Sequence, residues 1–338
     1  METPTGAHLD HQRLAQAHKA AGDALRLSIL QLLGRGSFGV LELSQVFDVK
    51  QSGMSHHLKV LAQAGLVSTQ REGTSIFYRR PLISGNDAWS QWLRTTFSAI
   101  DASDGLQDSG LQHNLSRVLN ERTRACAEFF ARNADAFKEQ QDLIASYDQY
   151  GQALESWLAG YQGQSRYALE VGPGEGAFLP ALAQRFQQVT ALDISAPMLA
   201  QANAMVNQHQ LSNVRCELGD TQWLLQQEHP AVDFAVANMV LHHVPAPQNI
   251  FADVYQLLAP GGALLITDLC RHDQSWAKQS CGDLWLGFEP DDLTDWAHSA
   301  GLTAGDSQFL GLRNGFQIQF RLFYRPARGA ESPLERTL

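Results

Sequence analysis

Cysteine is scarce in this chain and poorly placed for cross-linking. Cys126, Cys216, Cys270 and Cys281 are the four in 338 residues, and none forms a C-x-x-C pair. A disulfide framework and a closed zinc site both need denser thiols. The expectation is therefore buried, inert cysteines and no metal site. Long apolar runs are also missing. Nothing approaches the ~18 residues that a membrane span requires. The opening METPTGAHLDHQR is polar and carries acids, unlike a secretory signal. The reading is a cytoplasmic protein with no membrane partner. Positive charge is in deficit, 25 Lys+Arg against 35 Asp+Glu, which as a global figure discourages nucleic acid. Internal repeats and low-complexity tracts are absent too.

The charge that is present is unevenly spread. Residues 1–100 hold 10 Lys+Arg and 7 Asp+Glu, a balance of +3, whereas the remainder stands at −13. Between 50 and 80 the bases are Lys50, Lys59, Arg71, Arg79 and Arg80, against the single acid Glu72. Phosphate contact is local and screened over about 8 Å, so a basic patch on an acidic body still suits DNA. The length and a 44% hydrophobic content allow two cores.

The first dense segment, 8–100, reads as helices and a hairpin. Leu25, Ile29, Leu32 and Leu33 recur at helical spacing, with Asp23 as N-cap and Gly34 as stop. Leu41, Leu43 and Val46 suggest a second helix. Asp48 to Gly53 reads as a turn. Met54, Leu58 and Leu61 form another helical stripe, closed by Ala64-Gly65. Leu66–Thr69 and Ser75–Arg79 read as strands around Arg71-Glu72-Gly73-Thr74. Trp89, Trp92, Leu93 and Phe97 give a last amphipathic helix. Together these describe a winged helix-turn-helix, whose second helix enters the major groove. With the apolar stripe turned inward, Gln51, Ser52, Ser55, His56 and Lys59 face outward toward double-stranded operator DNA. Arg71, at the hairpin, is placed to touch backbone or minor groove. The same pieces, AHKAAGDALRLSILQLL, ELSQVF, SHHLKVLAQAGLV and QREGTSIFYR, resemble the ArsR family of winged-helix regulators. That resemblance implies a homodimer packed through the first and last helices, here about Leu14–Ala21 and Trp89–Ile100. Metal-sensing members carry cysteines in the helix that here reads ELSQVFDV, and there are none. His8, His11 and His18 are read as solvated tail histidines rather than ligands.

DASDGLQDSGLQ, from Asp101, has few large apolar residues and reads as a linker, 101–114. A helical cap, 115–161, follows, with Phe129, Phe130, Phe137, Leu143, Tyr147, Leu154 and Trp157. From Tyr167 strands and helices alternate in a core reaching 326. Tyr167–Val171, Val189–Asp193, Val214–Leu218, Val232–Asn238, Ala263–Asp268 and Phe316–Tyr324 are the strands. Pro197–Gln208 and Gln248–Leu258 are among the helices. The pattern is α/β with a mainly parallel sheet, and the final alternating strand suits antiparallel insertion.

Glu170-x-Gly172-x-Gly174-x-Gly176 follows the first strand and opens a helix. Glycines let the main chain approach a ligand where a Cβ would clash. The spacing G-x-G-x-G is not the dinucleotide G-x-G-x-x-G, and Glu175 would repel a pyrophosphate. A ligand with an amino group, a carboxylate and no phosphate fits better, as in S-adenosylmethionine. Asp193 ends the next strand, where a carboxylate accepts both ribose hydroxyls. Gly219-Asp220-Thr221 follows the third strand, where an acid accepts the adenine amino hydrogens. Asn238 ends the fourth, beside the methionyl portion. EVGPGEG, ALDIS, GD, ANMVLHH and LLAPGGALLITD, in order, resemble a class I S-adenosylmethionine-dependent methyltransferase domain. The resemblance implies a Rossmann-like fold with a seven-stranded sheet and S-adenosylmethionine or S-adenosylhomocysteine as cofactor. It places Glu170, Gly172, Gly174 and Gly176 at the amino-acid part, Asp193 at the ribose, Ile194, Met198 and Asp220 at the adenine, and Trp223 over it.

Whether that domain transfers methyl groups or only binds the donor stays open at this level. Transfer from a sulfonium needs mostly positioning, with a base for a demanding nucleophile. His242 and His243 are weak candidates for that base, and packing at the rim of the ligand site is the plainer reading. No Asn/Asp-Pro-Pro-Tyr follows the fourth strand, which speaks against methylation of DNA base amines. Cys270 and Cys281 fall short of the fuller cysteine set of arsenite methyltransferases. The insert from Cys270 to Leu302, with Trp276, Trp285, Phe288 and Trp296, reads either as a substrate pocket or as a lid packed shut. The whole architecture resembles ArsR-type regulators of the methionine cycle that respond to S-adenosylhomocysteine. The expectation is a repressor with that ligand as effector; the alternative is an active small-molecule methyltransferase that regulates its own operon.

Overall fold

The computed structural model describes residues 10–72, 75–83, 85–274, 276–277 and 281–327. His8 and the hairpin residues Gly73 and Thr74 lie outside the described residues, as does the side chain of Phe137. Among the described residues no helix is long and apolar enough to cross a membrane. The chain divides into two compact units, Met1–Arg122 and Thr123–Leu338.

The N-terminal unit runs α1 (His11–Ala21), α2 (Ala24–Leu33), β1 (Phe38–Gly39), α3 (Val40–Val46), α4 (Gln51–Gln63), β2 (Ser68–Glu72), β3 (Ser75–Arg79) and α5 (Ala88–Asp101). Asp23 caps α2 by accepting from Arg26 N at 2.9 Å, satisfying a donor that the first turn leaves unpaired. The turn between α3 and α4 is shorter than Asp48 to Gly53. It pivots on Asp48 at φ 51, and Gln51 is already helical. Aspartate tolerates that left-handed conformation better than most residues. Gly65, at φ 71, ends α4, and Leu66 N returns to Leu61 O. The strands pair antiparallel in the order β1-β3-β2. Ile29, Leu32, Leu43, Met54, Leu58, Leu61 and Phe97 fill the core.

The segment 101–114 is packed rather than a free tether. Asp101 takes two bonds from Arg80, at 2.8 and 2.6 Å, and Leu106 is buried. Gln31 Nε2 donates to Ser103 O at 2.8 Å, so polar residues here stitch the turn to α2. Ser109 begins α6 (Ser109–Ala145), and Leu115 and Val118 complete the N-terminal core. The helical region expected to Tyr161 is divided at Ser146, whose capping box with Gln149 starts α7 (Tyr147–Gly160). Leu143 is exposed; Ile144 and Ala145 take the buried positions instead.

The C-terminal unit is a doubly wound α/β layer. Its strands are β4 (Tyr167–Val171), β5 (Gln188–Asp193), β6 (Val214–Leu218), β7 (Val232–Asn238), β8 (Leu258–Leu269), β9 (Thr303–Gly311) and β10 (Gln317–Tyr324). Between them lie α8 (Leu179–Arg185), α9 (Ala196–Gln208), α10 (Thr221–Leu225), α11 (Pro247–Leu257) and α12 (Pro290–Ser299). The seven strands order as β6-β5-β4-β7-β8-β10-β9, parallel from β6 to β8. β10 inserts antiparallel between β8 and β9. The seventh strand, β9, escaped the sequence reading because it is an edge strand exposed along almost its whole length, without apolar alternation. β4 and β7 are almost wholly buried, as parallel strands covered on both faces must be. The chain order reverses between β4 and β7, and in such sheets ligands bind outside the carboxyl ends at that switch point.

Candidate functional site

On the N-terminal unit, α4 buries Met54, Leu58 and Leu61 and leaves Gln51, Ser52, Ser55, His56 and Lys59 exposed along one face. Arg71 is exposed on β2, and Lys50 stands at the amino end of α4. Arg80 does not belong to this patch. Its guanidinium is spent on Asp101 and on Leu30 O at 2.8 Å, and it lies over the Phe97 ring. The basic surface is therefore smaller than the residue count between 50 and 80 suggests.

On the C-terminal unit, three glycines hold the loop after β4. Gly172, Gly174 and Gly176 stand at φ 66, 58 and 82. A Cβ on Gly172 would fall 2.3 Å from Val240 Cγ2, whereas one on Gly174 would meet no atom within 4 Å. The first glycine is needed for packing, and the second borders open space. Beneath them Glu170 is buried, and its Oε2 has no hydrogen-bond partner among the described residues. Burial alone lifts its carboxyl to about 8. Asp193, at the end of β5, is lifted to about 6, chiefly by burial, against backbone hydrogen bonds from Ser195 and Ile194. Asn238, at the end of β7, donates from Nδ2 to Tyr150 Oη at 3.4 Å, while its own Oδ1 is buried without a partner among the described residues. The next residue, Met239, adopts φ 52, a strained conformation for a non-glycine that turns the chain sharply at the strand end.

Glu170 and Asn238 are thus acceptors short of donors, and Asp193 is a largely buried carboxylate beside them. A ligand that brings an ammonium and sugar hydroxyls matches them; a phosphate would not. Glu170 and Asn238 would hold the amino-acid end of an S-adenosyl compound and Asp193 its ribose. Met198 is buried and packs against Phe130 of α6, whose ring also meets His243 edge-on at 5.0 Å. Cys126, one turn earlier, donates its Sγ–H to His243 O at 3.3 Å. Ile194 is half-buried at the end of β5. Tyr147 and Tyr150, on α7, have phenols pushed well up, chiefly by burial, with Glu170 a smaller contributor. The sequence reading counted Tyr147 in a helical stripe and did not single out Tyr150.

Other expected residues are turned to structural tasks. Asp220 Oδ1 caps α10 by accepting from Trp223 N at 2.7 Å. Thr221 is buried, and its hydroxyl donates to Asp253 Oδ2 on α11 at 2.6 Å, so it anchors a helix rather than facing a ligand. The Trp223 indole packs on Gly219 and lines a groove of about 550 Å³ with Tyr167 and Gln188. Those two begin β4 and β5, at the end of the sheet opposite the glycine loop.

His242 and His243 are buried in a short 3-10 turn, Leu241–His243. Burial works against an imidazolium at His242, yet Asp268 and Asp283 outweigh it and lift the ring to about 9. His243 is held well below its ordinary value by burial and by the neighbouring ring. The four thiols are all raised, Cys126 and Cys281 to about 12 and Cys216 and Cys270 to about 11, chiefly by burial. They stay protonated, which disfavours them as metal or arsenite ligands. In the insert, Trp285 is buried and bonds Val244 O, Phe288 is buried, and Trp296 stacks edge-on against both Phe288 and Phe251. These aromatics pack shut rather than line a pocket.

Comparison with known proteins agrees with this division. A family described as "Methyltransferase domain" matches residues 169–266, and one described as "Helix-turn-helix domain" matches 22–70. A ubiquinone biosynthesis O-methyltransferase from Coxiella burnetii is 28% identical over 171 residues, 46% of this chain and 72% of that protein. One from Pseudomonas fluorescens is 30% identical over 154 residues, 41% of this chain and 65% of that protein. Among solved structures, the Burkholderia thailandensis 1,6-didemethyltoxoflavin-N1-methyltransferase with bound S-adenosylhomocysteine superposes with a TM-score of 0.49. It is 19% identical and covers 62% of this chain and 90% of that one. The chain joins an N-terminal helix-turn-helix domain of the ArsR type to a C-terminal methyltransferase domain of the class I fold.

Proposed function

We propose that this protein is a DNA-binding transcriptional regulator, a repressor, whose methyltransferase domain takes S-adenosylmethionine or S-adenosylhomocysteine as effector and controls genes of the methionine cycle. The observation that carries the reading is the pair of buried, unmet acceptors, Glu170 Oε2 and Asn238 Oδ1, beside an open glycine turn. They suit an adenosyl amino acid, in a chain whose other domain exposes a polar recognition helix. Gln51, Ser52, Ser55, His56 and Lys59 would meet operator DNA, with Arg71 on the backbone. Glu170, Gly172, Gly174, Gly176, Asp193, Ile194, Met198 and Asn238 would hold the ligand, and Asp220 would offer its remaining oxygen to the adenine.

Helices α1 and α5 would form the homodimer, as in ArsR proteins. Trp89 and Trp92 stack half-buried there, at 5.1 Å between centroids. Coupling needs a ligand that distinguishes two states of the protein, and 1–3 kcal/mol suffices. The helix α6 supports such coupling. Its early residues Leu115 and Val118 belong to the N-terminal core, and its later residue Phe130 packs against Met198. S-adenosylhomocysteine would release the operator.

The second reading is a small-molecule methyltransferase, and the match to O-methyltransferases favours it. One experiment separates the two. Binding to DNA from upstream of the protein's own reading frame is followed by fluorescence anisotropy, with each adenosyl ligand in turn. The regulator reading expects a 5- to 150-fold loss of affinity with S-adenosylhomocysteine, the span of ordinary allosteric couplings. No change with either ligand, together with transfer of labelled methyl groups to a small molecule in extract, would favour the enzyme.

A further inference from the structure

Three separate pieces of chain meet behind the end of β7. The 3-10 turn brings His242 and His243, whose ring centroids lie 4.0 Å apart. The end of β8 brings Asp268, and the segment after Cys281 brings Asp283. All four side chains are buried, Asp268 and the two histidines at 3% exposure or less. Asp268 is held firmly. It accepts from Leu241 N at 2.8 Å and from Leu269 N at 2.7 Å, and it meets His242 Nδ1 at 2.7 Å. A carboxylate so placed orients the imidazole through Nδ1 and directs Nε2 toward Asp283.

The distances to Asp283 are not those of hydrogen bonds. His242 Nε2 lies 3.9 Å from Asp283 Oδ1, and His243 Nδ1 lies 3.6 Å from the same oxygen. Both exceed a hydrogen bond between nitrogen and oxygen. Two ligand atoms, each about 2.1 Å from a shared ion in tetrahedral geometry, stand about 3.4 Å apart. The observed gaps exceed that by a few tenths of an ångström. One donor atom from each of His242, His243 and Asp283 lies within 4.8 Å of the others. A carboxylate bonded to the far nitrogen of a ligating histidine is the usual support of a zinc-bound imidazole.

We propose that His242, His243 and Asp283 form a binding site for one divalent transition-metal ion, with zinc as the first probe and Asp268 orienting His242. Two imidazoles and one carboxylate suit zinc, iron(II) or nickel better than magnesium or calcium, which prefer all-oxygen sites. The site is distinct from the cysteine positions of metal-sensing ArsR proteins and owes nothing to thiols. It also departs from the sequence expectation of no metal, because residues 242, 268 and 283 come together only in the folded chain.

The test uses the full chain, untagged, stripped with a chelator and dialysed against zinc. One zinc per chain is expected by elemental analysis. X-ray absorption of the loaded wild type, which needs no variant, should show nitrogen and oxygen neighbours with imidazole scattering. His243→Gln and Asp283→Asn, checked for folding by near-ultraviolet circular dichroism, should each weaken zinc at least 10-fold. Asp268→Asn should weaken it 10- to 100-fold, as loss of an orienting partner does. The proposal is overturned if the wild type takes up no stoichiometric zinc, if sulfur appears among the neighbours, or if folded variants bind zinc as the wild type does.

Discussion

Replacing Glu170 by Gln tests the idea that the ligand site is a store of unmet acceptors. Glu170 is fully buried, and its carboxyl moves from an ordinary value of 4.5 to about 8 by burial alone. The unfolded chain loses this proton near 4.5, whereas the folded chain keeps it until about 8. Between those values the unfolded state binds fewer protons, so stability falls as pH rises and levels off above about 8. At 1.36 kcal/mol per pH unit the full loss is about 5 kcal/mol. Asp193, moved from 3.8 to about 6, contributes in the same direction but only below about pH 6. His242, lifted from 6.5 to about 9, also loses stability across pH 6 to 8, so Glu170 is isolated by the difference between wild type and variant, worth about 2–3 kcal/mol over this interval. For a domain of this size that is about 5–10 °C in melting temperature. Glutamine has no proton to lose, so the Glu170→Gln variant should melt progressively above the wild type as pH rises through this interval. S-adenosylhomocysteine, which brings an ammonium, should restore the wild type at pH 8 and help the variant much less. Calorimetric melts of both proteins from pH 6 to 8.5 decide it. Parallel profiles would mean that the carboxylate is already compensated, and the acceptor-store account of the site would be wrong.

Further outcomes follow from the same geometry. Asp193→Ala removes two charge-assisted acceptors for the ribose, each worth about 1.5–3 kcal/mol, and should weaken either adenosyl ligand about 100-fold or more by titration calorimetry. Gly172→Ala places a Cβ 2.3 Å from Val240 at φ 66 and should cost about 2–4 kcal/mol in urea unfolding. Gly174→Ala, at φ 58 beside open space, should cost only about 1–2 kcal/mol yet still impair ligand binding. Equal stability losses for the two glycines would contradict this picture. Lys59→Ala, on the exposed face of α4, should weaken binding evenly across DNA sequences and reduce the salt slope of log K by about one. An unchanged slope would remove Lys59 from the DNA face.

Local features of this protein were legible because their causes are local. The stripe Met54, Leu58, Leu61, the cap Asp23 and the closing Gly65 follow from helical period and cap chemistry within a few residues. The glycine turn after β4 follows from positive φ, which a sequence announces by glycine itself. β4, β5, β7 and β8 were readable because parallel strands buried on both faces are continuous apolar runs. β9 was not, because an exposed edge carries no such mark.

Assignments that depended on a distant partner came out differently. Arg80 looked like part of the DNA surface until Asp101 was seen to hold it. Thr221 looked like a ligand contact until Asp253, on α11, took its hydroxyl. The amino-acid order thus determined the two fold types, the recognition helix and the glycine cradle, since each rests on spacing within one element. Only the tertiary structure decided which polar groups are left unsatisfied at Glu170 and Asn238, and which are drawn together at His242, Asp268 and Asp283. Burial and pairing are properties of space, and residues far apart in the chain share them only once the sheet has closed around them.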